Sequence, residues 1–392
     1  MISVAEALHM IEQNVTVNTI VLTQLTHALG TVLAEDIMSP IDMPPFRQSS
    51  MDGYAVIGSN SKTYKVIAEV EAGISEDVSL NAGEAVRIFT GARIPDKADT
   101  IIIQEHTQIK ADKIFITKPP QQFQYIRPIG EQLKKGEIAL RKGTVLNEAG
   151  IGFLAGLGIA SISTYQQPKV SILITGNELQ KTGETLKEGQ IYESNSITLL
   201  MALKRMGIEE VAIDFVKDDY CETVKVIGAH LKMADVILIS GGISVGDYDF
   251  VKGALETNQV EEHFYKVNQK PGKPLWFGSK NKTSIFALPG NPSSSLTCFY
   301  VYVAPALRKM LGHKNFKTQK KQATTESRIE NKFSKTLFLK GMIEDNVLAR
   351  PLYGQESSML KSFTEANALL IVPENIEVIN KGETIHYIDL LS

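Results

Sequence analysis

Between Lys169 and Gly312, short apolar runs rich in β-branched residues alternate with stretches whose apolar positions recur at helical spacing. The runs over 170–174, 211–216, 236–239 and 284–288 predict strands. The stretches over 194–206 (closed by Gly207), 222–233 and 293–311 predict helices, the last bent at Pro305 and stopped by Gly312. Strands alternating with crossover helices imply a doubly wound parallel sheet. Such sheets bind ligands just beyond the carboxyl ends of their strands.

The flanking segments follow other patterns. Residues 3–15 predict an amphipathic helix: Ser3 can cap it with Glu6 three residues on, and Val4, Ala7, Leu8 and Ile11 share a face. A second helical stretch is expected over 24–33, and Pro40, Pro44 and Pro45 then break regular structure. β-type runs at 64–70, 85–89, 100–108 and 113–117, punctuated by Gly73, Gly83, Gly91 and Pro95, predict a small inserted β-domain. Helical patterning is expected to return over 130–158. After a basic linker, strand-like runs at 337–343, 347–350, 368–372 and 384–390 predict a small barrel or sandwich. The expected domains are 1–45 with 125–167, 46–124, 168–313 and 314–392.

Composition narrows the function classes. The 392 residues are 43% hydrophobic and 22% charged, the balance of a globular protein with two to four domains. A net charge of -3 gives no electrostatic footprint for nucleic acid or an anionic membrane, so a bound anion needs a local site. The two cysteines, Cys221 and Cys298, lack Cys-x-x-Cys spacing and are expected to be buried packing residues. The histidines are scattered, which argues against zinc. With no bilayer-length apolar run and no secretory signal, a cytoplasmic location is expected.

Candidate chemistry gathers at the expected strand ends. The run 236–239 ends in Ser240-Gly241-Gly242-Ile243-Ser244-Val245-Gly246-Asp247-Tyr248-Asp249, a loop whose glycines and following helix suit a phosphate and whose acids suit a phosphate-bound Mg2+. Thr175-Gly176-Asn177-Glu178 follows the first strand, Asp218 and Asp219 the second, and Pro289-Gly290-Asn291-Pro292-Ser293-Ser294 the last. Lys270-Pro271-Gly272-Lys273-Pro274 sets two lysines on a stiff turn, as point charges for an oxyanion. Singly, Glu178 reads equally as a solvated acid, Asp218 as a helix cap and Lys273 as a solvated lysine. Together, at successive ends of one sheet, they read as a site.

These motifs resemble the molybdopterin molybdenumtransferases, a family comprising the MoeA proteins and the gephyrin E-domain. The resemblance runs through Arg47-Gln48-Ser49-Ser50-Met51-Asp52-Gly53-Tyr54-Ala55, Thr90-Gly91-Ala92, Thr175-Gly176-Asn177-Glu178-Leu179 and Tyr192-Glu193-Ser194-Asn195. It continues through the glycine loop, the lysine turn, Leu288-Pro289-Gly290-Asn291-Pro292 and Gln355-Glu356-Ser357, in family order over nearly the whole chain. It implies a multidomain α/β plus β protein: a central molybdenum-cofactor-binding sheet domain, an inserted β-domain, an elongated N-terminal domain and a C-terminal β-barrel. The implied reaction inserts molybdate into adenylylated molybdopterin and releases AMP with Mg2+, in a homodimer supplied by a molybdopterin adenylyltransferase.

By matching position, the resemblance assigns Glu178, Asp218 and Asp249 to Mg2+ and the nucleotide. Thr175, Gly176, Ser194, Asn195, Gly241, Gly242, Ser244 and Gly246 fall to pterin and phosphate, with Pro289, Gly290 and Asn291 beside them. Lys270, Lys273, Ser294, Lys340 and Ser357 fall to the oxyanion end. Asp52, Thr90 and Arg127 belong to the region that in the family reaches the site of the other subunit. Two departures stand out: Gln132 where the family has an acid, and Lys340 where it has an arginine, which predicts a weaker oxyanion site or a shifted preference between molybdate and tungstate. Two rival readings are a nucleotide pyrophosphatase or molybdopterin adenylyltransferase built on the same central domain, and a non-catalytic dimeric scaffold.

Overall fold

The computed structural model describes residues 1–74, 78–243, 250–345 and 347–390. The chain falls into two compact units: residues 1–22, 30–34 and 163–392 in one, 23–29 and 35–162 in the other.

The first unit is built on a six-stranded sheet. Its elements, in chain order, are β1 (Val170–Thr175), α1 (Asn195–Arg205), β2 (Val211–Val216), α2 (Tyr220–His230), β3 (Val236–Ser240), α3 (Phe250–Thr257), β4 (Glu261–Tyr265), β5 (Trp276–Lys280) and β6 (Thr283–Leu288). The strand order is β2-β1-β3-β6-β5-β4. The first four run parallel as expected, with Ile174 beside Ser240 and Ser240 beside Leu288, so their carboxyl ends share one edge. The last two are antiparallel, which makes the sheet mixed rather than wholly parallel. β1, β3 and β6 are buried along their whole length between clusters on both faces. Burying one such Val, Ile or Leu contributes roughly 1.5–3 kcal/mol, so the strand ends are held by a stiff platform.

The helix expected over 293–311 divides into Pro292–Cys298, a π-helical turn at Phe299–Val303, and Ala304–Met310. The break therefore precedes Pro305: its ring removes an N–H and crowds the carbonyl four residues earlier, and the preceding turn widens to accommodate it. The helix Val4–Asn14 carries the expected capping box, with Glu6 N donating to Ser3 Oγ (3.2 Å) and Ser3 N to Glu6 Oε2 (2.7 Å). Toward the C-terminus, Lys320–Thr325, Thr336–Glu344, Leu348–Pro351, Ala368–Val372 and Thr384–Asp389 close into a five-stranded barrel, the Thr336–Glu344 strand pairing with Ala368–Val372 to seal it.

In the second unit a six-stranded sheet joins Thr100–Ile103, Gly53–Val56, Glu84–Ile88, Thr63–Val70, Lys113–Ile116 and Thr107–Lys110. Two helical expectations hold over less of the chain than expected. The stretch 24–33 holds only the 3-10 turn Leu25–His27, and 130–158 holds one helix, Glu148–Gly156. Glycine at 130, 136 and 143 adopts positive φ there, which breaks any helix.

The cysteines also part ways. Cys298 is buried, and burial pushes its thiol up to about 12, whereas Cys221 is exposed on α2 and is not the packing residue its apolar surroundings imply. One equivalent of native protein is expected to react with one equivalent of an aromatic disulfide at pH 8, the second thiol appearing only after denaturation. Two fast thiols in the native state would contradict the burial of Cys298.

Candidate functional site

The four parallel strand ends open into one cavity of about 640 Å3 within the first unit. Thr175, Gly176 and Glu178 line it from β1, Asp218 from the end of β2, Ser240, Gly241 and Gly242 from β3, and Pro289, Gly290 and Asn291 from β6. Ser194 and Asn195, at the start of α1, complete the wall. The sequence reading brought these residues to one edge, and the structure places them around one space.

Local sequence explains each placement. Gly241 has φ +100, and a Cβ there would lie 2.5 Å from the Thr175 carbonyl oxygen, so only glycine lets the β3 loop pass this close to β1. Asp218 and Asn177 brace each other: Asn177 N donates to Asp218 Oδ2 (3.0 Å) and Asp218 N to Asn177 Oδ1 (3.2 Å). Asp218 does not cap α2. Asp219 does, accepting from Glu222 N at 2.7 Å, which leaves Asp218 for the cavity. At α1 the buried Glu193 accepts from Ser196 N (2.7 Å), so the hydroxyl of Ser194 is not used as a cap.

Two buried polar atoms in the wall have no partner among the described residues. Thr175 is 6% exposed and its Oγ1 is unbonded; Asn195 is 9% exposed and its Oδ1 is unbonded. Asn195 Nδ2, by contrast, donates to Ser240 Oγ (2.8 Å) and the Gly290 carbonyl (2.7 Å), so its amide is fixed in orientation. Unmet buried polar groups cost about 1–3 kcal/mol each, which a polar ligand in the cavity would offset.

Other expected residues stand elsewhere. Ser294 is buried and Ser357 Oγ accepts from Asn291 Nδ2 (2.8 Å), so both buttress the wall rather than form it. Lys270 Nζ lies 3.4 Å from the centroid of the Phe333 ring, a cation–π contact, while Lys273 is exposed next to the wall residue Pro274. Ser244, Gly246, Asp247 and Asp249 lie outside the described residues. Glu193, Ser240, Tyr192, Pro274 and Ser358 line the cavity without having been singled out as candidates. An acid three positions before Ser196 at a helix start was the available signal for Glu193.

Lys340 requires a correction. It is 1% exposed, and its ammonium donates to Ser293 Oγ (3.0 Å), the Met359 carbonyl (3.1 Å) and the Glu356 carbonyl (3.3 Å). All three donors of the ammonium are thus engaged, and the side chain tethers the loop bearing Ser357 to the helix that begins at Pro292 rather than meeting an oxyanion. Burial pulls its pKa below 10.5, opposed by the nearby Glu356 charge. The unfolded chain then binds more protons just below pH 10.5, so this group's contribution to stability rises with pH through that window. Lys340→Met would remove all three bonds, although the Met359 carbonyl keeps Ser362 Oγ and the Glu356 carbonyl keeps Met359 N, and is expected to lower stability by about 1–3 kcal/mol. Chemical denaturation tests this; an unchanged midpoint would refute the tether.

In the second unit, Asp52 Oδ1 accepts from Thr90 N (2.8 Å) and Thr90 Oγ1 (2.9 Å). The Thr90 backbone N–H, then its hydroxyl and the neighbouring Arg87 charge, hold the Asp52 carboxyl below 3.8. The stabilisation from these contacts is complete above that ordinary value and is lost as pH falls through the depressed one, so Asp52 is ionised at neutral pH. Thr90→Val is expected to move the Asp52 titration up toward 3.8, followed by carboxyl NMR; an unmoved titration would refute the assignment. Arg127, in the same unit, pairs with Glu131 (2.8 Å).

For a divalent cation, Glu178 and Asp218 supply two carboxylates on one wall, a donor set that suits Mg2+ completed by substrate phosphate and water. Among the described residues no three His, Cys, Asp or Glu side chains converge as a ready-made metal site. No helix among them is long and apolar enough to cross a membrane.

Comparison with known proteins meets the same architecture. Residues 2–158 match the MoeA N-terminal region (domain I and II), 171–309 a probable molybdopterin binding domain, and 322–390 the MoeA C-terminal region (domain IV). A molybdopterin molybdenumtransferase of Haemophilus influenzae is 35% identical over 92% of this chain and 91% of its own length. A Mycobacterium tuberculosis protein named molybdopterin molybdenumtransferase 2 is 32% identical over 93% and 94%. The molybdopterin biosynthesis MoeA protein of Pyrococcus horikoshii superposes with a TM-score of 0.84 at 30% identity, covering 100% of this chain and 99% of that one. With a cavity lined by glycine loops and carboxylates at the strand ends and relatives of this identity along nearly its whole length, the chain belongs to the molybdopterin molybdenumtransferase family, transferases of molybdenum cofactor biosynthesis.

Proposed function

We propose that the cavity binds adenylylated molybdopterin and that the chain inserts molybdate into it with release of AMP, in a Mg2+-dependent reaction. The observation that carries this reading is the pair of polar atoms without a partner among the described residues, Thr175 Oγ1 and Asn195 Oδ1, in the wall of a cavity large enough for a pterin nucleotide. Gly241 and Gly242 let the backbone approach phosphate, and the start of α1 adds its positive end. Glu178 and Asp218 would hold Mg2+, with Asp249 as a further candidate, and the ion would supply charge neutralisation at the phosphoric anhydride. Lys273, exposed at the rim, would hold molybdate as a point charge.

The remaining work of the chain is electrostatic and positional. Fixed amide and hydroxyl groups orient the pterin. A homodimer belongs to the same proposal, with Asp52 and Thr90 serving the site of a second copy, a molybdopterin adenylyltransferase supplying the substrate, and the cytoplasm as the location.

The binding half is tested by calorimetric titration of adenylylated molybdopterin into wild type, Thr175→Val and Asn195→Leu. Each variant is expected to weaken binding about tenfold. Unchanged affinity in both would remove the cavity assignment.

A further inference from the structure

A buried polar chain lies behind the cavity, and none of its members touches the site. Gln269 is 1% exposed, its Oε1 accepts the phenolic proton of the fully buried Tyr302, and its Nε2 donates to the Gly272 carbonyl at 3.0 Å. Cys298 Sγ lies 3.5 Å from the same Nε2. Gly272 has φ +85, and a Cβ there would sit 2.6 Å from Cys298 Sγ, so the turn is pressed directly onto the helix. Burial pushes the Tyr302 phenol well above 10 and the Cys298 thiol up to about 12, so neither group ionises near neutrality.

This chain connects two parts of the wall. Tyr302 sits in the π-helical turn of the helix that begins at Pro292, immediately after the β6 loop. Gly272 is the centre of the lysine turn, whose Pro274 lines the cavity. The other end of the turn is pinned by pairing of Gln269 and Lys270 with Thr336 and Leu337 of the barrel. The Lys273 carbonyl accepts from Val267 N and Leu275 N, each at 3.0 Å. With Lys270 committed to Phe333, Lys273 is the lysine of the turn left exposed beside the wall residue Pro274.

Packing alone does not call for an amide and a phenol here. Two apolar side chains of the same size would fill the space without the desolvation cost. What the polar pair adds is direction: the amide fixes the Gly272 carbonyl, and through it the backbone of the turn.

We propose that Gln269 and Tyr302 are positioning residues of the transferase, setting the lysine turn so that Lys273 faces the oxyanion end of the cavity. The inference rests on the reading of Lys273 as a molybdate-holding side chain.

The test is steady-state AMP release against molybdate concentration, at a temperature where circular dichroism shows every variant fully folded. Tyr302→Phe and Gln269→Leu are each expected to raise the KM for molybdate about tenfold, with kcat changed less than about threefold. The double variant removes the phenol together with the amide and leaves only the Gly272 carbonyl without its amide donor, so its Tm is expected to recover above that of Gln269→Leu while its KM stays raised. Molybdate is expected to raise the Tm of the wild type, and to raise it less in all three variants. A molybdate KM within about twofold of wild type in every variant, or a double variant that recovers KM along with Tm, would overturn the inference. Lys273→Ala separates the two layers. If it raises KM while the Tyr302 and Gln269 variants do not, the positioning role alone fails. If it leaves KM unchanged, the assignment of Lys273 fails and the positioning role with it. Absence of AMP release from the wild type would instead refute the proposed reaction.

Discussion

Glu178→Gln is expected to lower molybdate-dependent AMP release at least about a hundredfold, with the fold intact. The side chain is exposed at the mouth of the β1 loop, where a Cβ on Gly176 would lie 2.7 Å from its Oε2. It caps no helix and makes no ion pair among the described residues, so neutralising it removes charge without stranding a partner. Asp218 keeps its brace to Asn177, so the second carboxylate stays in place. Losing one of two carboxylates weakens a Mg2+ site that already depends on substrate phosphate and water. The Mg2+ concentration giving half-maximal rate is therefore expected to rise together with the fall in kcat. The measurement is AMP release across a Mg2+ titration, with the midpoint of thermal unfolding as control. A variant within about threefold of wild type at every Mg2+ concentration would remove Glu178 from the machinery.

Asp52→Asn is expected to cause a loss of similar size, about a hundredfold, for a different reason. Thr90 holds Asp52 as a carboxylate, and asparagine preserves the shape while deleting the charge. If Asp52 serves the site of a second copy, two inactive proteins can repair each other. Mixing Asp52→Asn with Glu178→Gln under conditions that exchange subunits gives half heterodimers, each with one site free of either substitution. Activity is then expected to recover to about a quarter of wild type. No recovery after verified exchange would mean that both residues act on the same site of one subunit, or that no shared site exists.

Much of this molecule was legible because its chemistry sits where its hydrophobic pattern is strongest. β1, β2, β3 and β6 are dense in β-branched residues, and the loops after them follow at fixed offsets, so the sequence alone puts Glu178, Asp218, Gly241 and Gly290 on one edge. β4 was not legible, since Glu261-Glu262-His263 at the sheet edge reads as solvated chain, and β5 follows the lysine turn without a periodic signal. The antiparallel edge was missed for that reason. Lys340 was misread because sequence gives residue type and not depth: a lysine aligned with an oxyanion-binding arginine is here fully covered and hydrogen-bonded to Ser293 and two carbonyls. Glu193 was missed in the opposite sense, as a loop acid that proves to be buried and to hold the start of α1. The chain of Tyr302, Gln269 and Gly272 links residues far apart in sequence, and no local pattern announces it.

The most direct test of the central claim is AMP release from adenylylated molybdopterin by the wild-type protein with Mg2+, measured with and without molybdate. The proposed reaction predicts release that requires molybdate and saturates with it. Release at the same rate without molybdate would point to a pyrophosphatase, and no release from a folded protein in either condition would contradict catalysis at this cavity.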